Sequence, residues 1–120
     1  AQLIQKYNVE DRILIGSANL FLNNRVRRLF PKCGHYLSQP DIFLLTILGN
    51  LKVVDNYIRK FHIIEVPIKY KGIAIYRKFI KIAKKLELPL FFWGINSKEI
   101  LHQLNGERVA GFMTDYPDLF

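Results

Sequence analysis

Leu90-Phe91-Phe92-Trp93, with Pro89 before it and Gly94-Ile95-Asn96 after it, is the stretch on which the fold turns. Four consecutive large apolar residues without polar alternation predict a strand at the centre of a sheet covered on both faces. Working outward, Ser97 suits the N-cap of a short helix that carries Ile100, Leu101 and Leu104 on one side. Val109-Ala110-Gly111-Phe112-Met113 supplies a last strand, and Thr114-Asp115-Tyr116-Pro117 turns the chain.

Upstream, Ile73 to Leu86 reads as the clearest helix. Ile75, Phe79, Ile82, Ala83 and Leu86 form a stripe opposite Arg77, Lys78, Lys81, Lys84 and Lys85. His62 to Pro67 reads as a strand limited by its proline. Ile42 to Leu48 and Val53 to Phe61 are two apolar stretches broken at Gly49-Asn50, with Arg59 and Lys60 suited to a helix C-terminus. A short strand is expected at His35-Tyr36-Leu37, and Pro31 stops a helix carrying Leu20, Phe21, Leu22, Val26, Leu29 and Phe30, with Asn23, Asn24 and three arginines between them. Ile13-Leu14-Ile15 reads as a short buried strand ending at Gly16-Ser17-Ala18, and Leu3 to Tyr7 as the tail of a helix that begins earlier.

Strands thus alternate with helices, which implies an α/β fold with a parallel sheet and right-handed crossovers. Periodicity does not choose between an open sheet and a barrel. No Gly-x-Gly-x-x-Gly and no Gly-x-x-x-x-Gly-Lys-Ser/Thr occurs, so the nucleotide-binding fingerprints are missing. In either architecture function belongs at the strand C-termini: Gly16-Ser17, Ser38, Pro67, Trp93-Gly94-Ile95-Asn96 and Thr114-Asp115.

Those ends carry a family pattern. Phe92-Trp93-Gly94-Ile95-Asn96, a short helix, then Val109-Ala110-Gly111-Phe112-Met113-Thr114-Asp115-Tyr116-Pro117 resembles the closing segment of glycerophosphodiester phosphodiesterases. That segment typically reads Trp-Thr-Val-Asn, a helix, and Gly-Val-Asp-Gly-Ile-x-Thr-Asp-x-Pro. Glu10 to Ala18 is similar to the family's Glu-Asp-Arg-Val-x-Ile-Ser-Ser-Phe strand, and Glu65-Val66-Pro67 to a later one. Gly16, Ala18 and Gly94 depart from the family's Ser, Phe and Thr.

The resemblance implies a (β/α)₈ barrel of roughly 250 residues, with residues 1–120 as one partial domain, the C-terminal half of a TIM barrel. It also implies metal-assisted hydrolysis of a small-molecule glycerophosphodiester to an alcohol and glycerol 3-phosphate, with a divalent calcium or magnesium ion in the full-length enzyme. The family's His-Arg-Gly, Glu-x-Asp, second His and mid-barrel Glu have no counterpart in this chain. No catalytic residue and no metal ligand is therefore assigned here, and this segment alone is expected to be inactive.

Three residues are candidates for substrate binding. Trp93, at a strand end, suits an apolar wall against the glycerol or alcohol moiety, or a packing role in the core. Asn96 suits substrate contact or, more simply, a loop held by side-chain-to-backbone bonds. Ser17 is a possible hydrogen-bond donor without the neighbours of a serine nucleophile. Asp115 is expected to hold the terminal turn by accepting backbone N–H bonds or pairing with a basic side chain. Lys69 and Lys71 attract phosphate if they lie at the barrel mouth, and otherwise belong to a solvated loop. His35 and His62, at strand starts, and His102, on the polar side of the last helix, are expected to be structural or surface groups.

Composition bounds the remaining classes. Eighteen Lys and Arg against ten Asp and Glu give +8, a field that favours anionic partners. The basic residues are spread over helix surfaces and do not interleave with the aromatic run, so nucleic-acid binding is not expected. The single Cys33 permits no intrachain disulfide and suggests a cytoplasmic segment. No apolar run approaches the ~20 residues that cross a bilayer, although a longer parent is free to be membrane-attached or secreted. A half barrel exposes strand edges and an apolar interior, so the expected partner is the N-terminal half barrel or a second copy. A non-catalytic half-barrel interaction module is the alternative reading.

Overall fold

The computed structural model describes residues 2–48, 56–58 and 60–119. The expected break at Gly49-Asn50, the start of the following helix at Val53 and the contribution of Arg59 lie outside the described residues. Helix α1 (Gln2–Tyr7) leads through a 3-10 turn at Glu10–Arg12 into strand β1 (Leu14–Ile15) and helix α2 (Leu20–Leu29). Strand β2 (Gly34–His35), helix α3 (Gln39–Leu48) and strand β3 (Ile64–Pro67) follow. A hairpin of β4 (Lys69–Tyr70) and β5 (Ile73–Ala74) precedes helix α4 (Tyr76–Leu86), strand β6 (Leu90–Trp93), helix α5 (Lys98–Gln103), strand β7 (Gly111–Phe112) and a 3-10 turn at Pro117–Leu119.

β1 pairs in parallel with β2, and β6 lies between β3 and β7, parallel to both. Ile64 to Pro67 run in register with Leu90 to Trp93, and Phe91 and Phe92 with Gly111 and Phe112. The architecture is α/β with parallel strands. The sheets are small, and they do not close among the described residues. The two parallel groups meet at the histidines: His62 N–H donates to the His35 carbonyl at 2.9 Å, and His35 N–H donates to His62 Nδ1 at 3.2 Å. Spatial neighbours follow chain order, without the reversal that creates a switch point in doubly wound sheets.

Alternation along β3 and β6 assigns the faces. Ile64, Val66, Leu90 and Phe92 are buried in one cluster with Phe79, Ile82, Ala83 and Leu86 of α4 and Ile42 and Leu45 of α3. Glu65, Phe91 and Trp93 point the other way. Leu14, Trp93 and Met113 are 53%, 42% and 42% exposed. This corrects the sequence-based expectation of strands covered on both faces and of a buried β1: among the described residues, helices cover one face only. The molecule is accordingly a slab, with extents of 42 × 39 × 25 Å and a radius of gyration of 15.1 Å, against about 13.6 Å for a compact domain of this length.

Local chemistry explains most boundaries. The Asn19 side chain accepts the Phe21 and Leu22 N–H groups, capping α2. Ser38-Gln39-Pro40-Asp41 starts α3: the Ser38 carbonyl accepts the Ile42 N–H, and Asp41 Oδ2 reaches back to the Ser38 N–H at 2.8 Å, the reach-back half of a capping box. Ser97 Oγ caps α5 through the Ile100 N–H, and Glu87 ends α4 in the left-handed conformation. The expected strands Ile13 to Ile15, His62 to Pro67 and Val109 to Met113 are shortened to Leu14–Ile15, Ile64–Pro67 and Gly111–Phe112, and two other boundaries differ from expectation. Ile73 and Ala74 belong to a hairpin, because Lys71 (φ 49°) and Gly72 (φ 81°) form its two-residue turn. The second strand is Gly34–His35 and stops before Tyr36 and Leu37, because Leu37 is already buried in the helix-side cluster.

Candidate functional site

The C-terminal ends of the parallel strands carry Ser17, Tyr36, Pro67, Trp93 and Thr114, each at the end of its strand or within two residues beyond it. A cleft of about 330 Å³ opens there, lined by Pro67, Ile68, Lys69, Trp93, Gly94 and Ile100, with Gln103 at its edge. β6 delivers Trp93 to this cleft, and the hairpin that follows β3 delivers Lys69. Gly94, at φ 71°, turns the chain away in a conformation that the Thr of the family pattern would adopt only under strain. The cleft therefore offers an indole face, apolar walls and one ammonium group, a combination suited to a small anion with an apolar or polyol tail.

Lys71 is placed differently. Its ammonium lies 5.2 Å from the Phe43 ring centre and 5.9 Å from that of Tyr70, outside the set of residues lining the cleft.

Asn96 is a clamp. Its Oδ1 accepts the Asp115 N–H at 3.0 Å and the Thr114 hydroxyl at 3.3 Å, and its Nδ2 donates to Asp115 Oδ2 at 2.8 Å. Thr114 Oγ1 in turn accepts the Tyr116 N–H at 3.0 Å. The loop after β6 is thereby tied to the turn after β7. Asp115 does hold the terminal turn, and among the described residues its carboxylate does so through the Asn96 amide.

Ser17 is held by its neighbours. Its N–H donates to Asn23 Oδ1 at 3.1 Å, and its Oγ accepts the Asn19 N–H at 3.2 Å. Asn23 is the residue that the sequence hides. It is 1% exposed, and its Nδ2 donates to the Tyr36 carbonyl at 2.9 Å, so one amide fixes the ends of both β1 and β2. The one signal for it in sequence is a poor helix former inside a helix.

Two further carboxylates are withdrawn from solvent. Asp41, also buried, accepts the Ser38 hydroxyl at 2.6 Å and the Tyr57 hydroxyl. Burial and that bond push the Tyr57 phenol up to about 12. Glu65 lies on the uncovered face, where desolvation raises its carboxyl above the ordinary range, and its charge helps raise the Tyr36 phenol, which is pushed up mainly by burial.

The histidines occupy other places. His35 is buried at 3% exposure, with ring nitrogens 2.9 Å from the Phe30 carbonyl and 3.2 Å from that of Ile15. His62 precedes β3 at the opposite end of the sheet, and His102 is exposed on α5. Among the described residues no three His, Cys, Asp or Glu side chains come together as a metal site. No helix among them is long and apolar enough to cross a membrane. No family model and no curated protein matches the chain.

Proposed function

We propose that this chain forms the C-terminal part of a glycerophosphodiester phosphodiesterase barrel, and that the strands completing the barrel cover its open sheet face. The observation that carries the reading is the sheet itself. Parallel strands in chain order have helices on one face and Leu14, Tyr36, Glu65, Phe91, Trp93 and Met113 on the other, as the inner wall of a singly wound barrel requires. The resemblance adds that Trp93, Asn96, Thr114 and Asp115 stand at the strand ends where such barrels carry their active sites.

The residues of this chain do not fit a divalent ion, because no ligand cluster exists among those described. The calcium or magnesium of the reading and its acid and base groups belong to the remaining strands. What this chain supplies is positioning. The Trp93 ring walls the cleft against the glycerol or alcohol moiety, the Lys69 ammonium attracts the phosphodiester, and the Asn96–Asp115 clamp keeps the Trp93 loop in place.

Steady-state hydrolysis of glycerophosphocholine by the native polypeptide that carries this sequence tests the reading. Trp93→Ala is expected to raise KM about tenfold with a smaller loss in kcat, and Trp93→Phe to restore most of it. Absence of hydrolysis by the native polypeptide in calcium or magnesium overturns it. The open face also favours a second reading, a non-catalytic half-barrel interaction module, for which that same absence is the expected result.

A further inference from the structure

At the end of the sheet opposite the Trp93 cleft, a second cleft of about 430 Å³ is lined by Asn24, Arg27, Arg28, His35, Lys60 and His62, together with Pro31. Arg27 and Arg28 come from the last turn of α2, just before β2, and Lys60 and His62 immediately precede β3. The two connections meet because the His35 and His62 backbones and ring are bonded to each other.

Nearly every functional group facing this space is a donor. The Arg27 guanidinium stacks 4.8 Å above the Phe61 ring, which fixes its plane without neutralising its charge. His62 Nδ1 accepts the His35 N–H, so a neutral His62 ring carries its proton on Nε2 and remains a donor. Among the described residues no carboxylate lines the cleft and no ion pair neutralises its cations. Two guanidinium groups, an ammonium, an imidazole N–H and an amide around one recess form a receptor for a compact, doubly charged oxyanion. The recess has room for an organic body beside that group.

We propose that this cleft binds a phosphate monoester, with Arg27, Arg28 and Lys60 pairing with the phosphoryl oxygens and His62 Nε2–H donating to one of them. The site lies at the other end of the strands from the proposed catalytic cleft and does not depend on the phosphodiesterase reading.

The test is a titration of the 120-residue chain, followed by nitrogen-15 NMR at the arginine and histidine side chains. Inorganic phosphate and phenyl phosphate are added at constant ionic strength, and chloride serves as the control. Saturable shifts at Arg27, Arg28 and His62 are expected, with Arg77 on α4 unmoved. Arg28→Gln combined with Lys60→Gln, both exposed positions, is expected to weaken binding at least about tenfold, from the loss of two charge-assisted bonds, while circular dichroism and Tm stay unchanged.

Phosphatidylcholine vesicles with and without phosphatidic acid separate the two sources of this chemistry. Saturation by phenyl phosphate without vesicle co-sedimentation identifies a soluble ester. Co-sedimentation that needs phosphatidic acid and is lost in the double variant identifies a lipid headgroup. Shifts that chloride reproduces, or binding that survives the double substitution, overturn the proposal.

Discussion

His35 and His62 exchange bonds across the seam between β2 and β3: the His62 N–H reaches the His35 carbonyl at 2.9 Å, and the His62 ring accepts the His35 N–H at 3.2 Å. A side-chain nitrogen thus stands where a carbonyl would continue the ladder. The seam keeps the β1–β2 pair attached to the three-stranded sheet, and both ends of the parallel strands depend on that attachment.

His62→Phe is expected to leave the His35 N–H without its acceptor and to cost about 1–2 kcal/mol. His102→Phe, on exposed α5, is expected to change stability by less than about 0.5 kcal/mol. Urea unfolding of both variants measures the difference.

Asn23→Leu removes the amide that joins the Ser17 N–H to the Tyr36 carbonyl in a site 1% exposed. Two backbone groups lose their partner, so a loss of about 2–4 kcal/mol is expected. Neighbouring Asn24, which is exposed, serves as the control, with Asn24→Leu expected within about 0.5 kcal/mol of the parent.

Asn96→Ala frees Asp115 and Thr114 from the loop after β6. Hydrogen exchange at the Asp115 amide is expected to accelerate by roughly tenfold or more, the factor that corresponds to losing about 1.4 kcal/mol of local protection. The His35 amide, at the distant seam, is expected to keep its rate.

Glu65 supplies a pH dependence. Its folded-state carboxyl is raised by desolvation, so near and just above the ordinary carboxylate value the folded chain holds a proton that the unfolded chain has released. Stability from this group is therefore greatest at acid pH and declines as pH rises through that window. Glu65→Gln is expected to raise Tm at neutral pH and leave it unchanged where the carboxyl is protonated in both states. A Tm–pH profile of the two proteins checks the sign.

Elements with a local cause were legible in the sequence. The Leu90–Trp93 run, the Ser97 cap and the apolar stripe of α4 each depend on residues within a few positions of one another. The hairpin was not, because Ile73 and Ile75 extend the helical stripe of α4 on paper and only the left-handed Lys71-Gly72 pair separates them. Asn23 was hidden for the opposite reason: its partner is the carbonyl of Tyr36, thirteen residues away and just beyond β2. An apolar strand also looks the same in sequence whether one layer or two covers it, so the bare face of Phe91 and Trp93 is visible only in three dimensions. The cleft formed by Arg27, Arg28, Lys60 and His62 likewise joins two connections that sequence places far apart.

Sedimentation velocity of the isolated 120-residue chain over a range of concentrations reads out the uncovered sheet face. With Leu14, Trp93 and Met113 exposed on one wall, the chain is expected to associate into dimers or larger species, and Trp93→Lys to shift it toward monomer. A monodisperse monomer of 14.1 kDa at every concentration would mean that this face does not drive association.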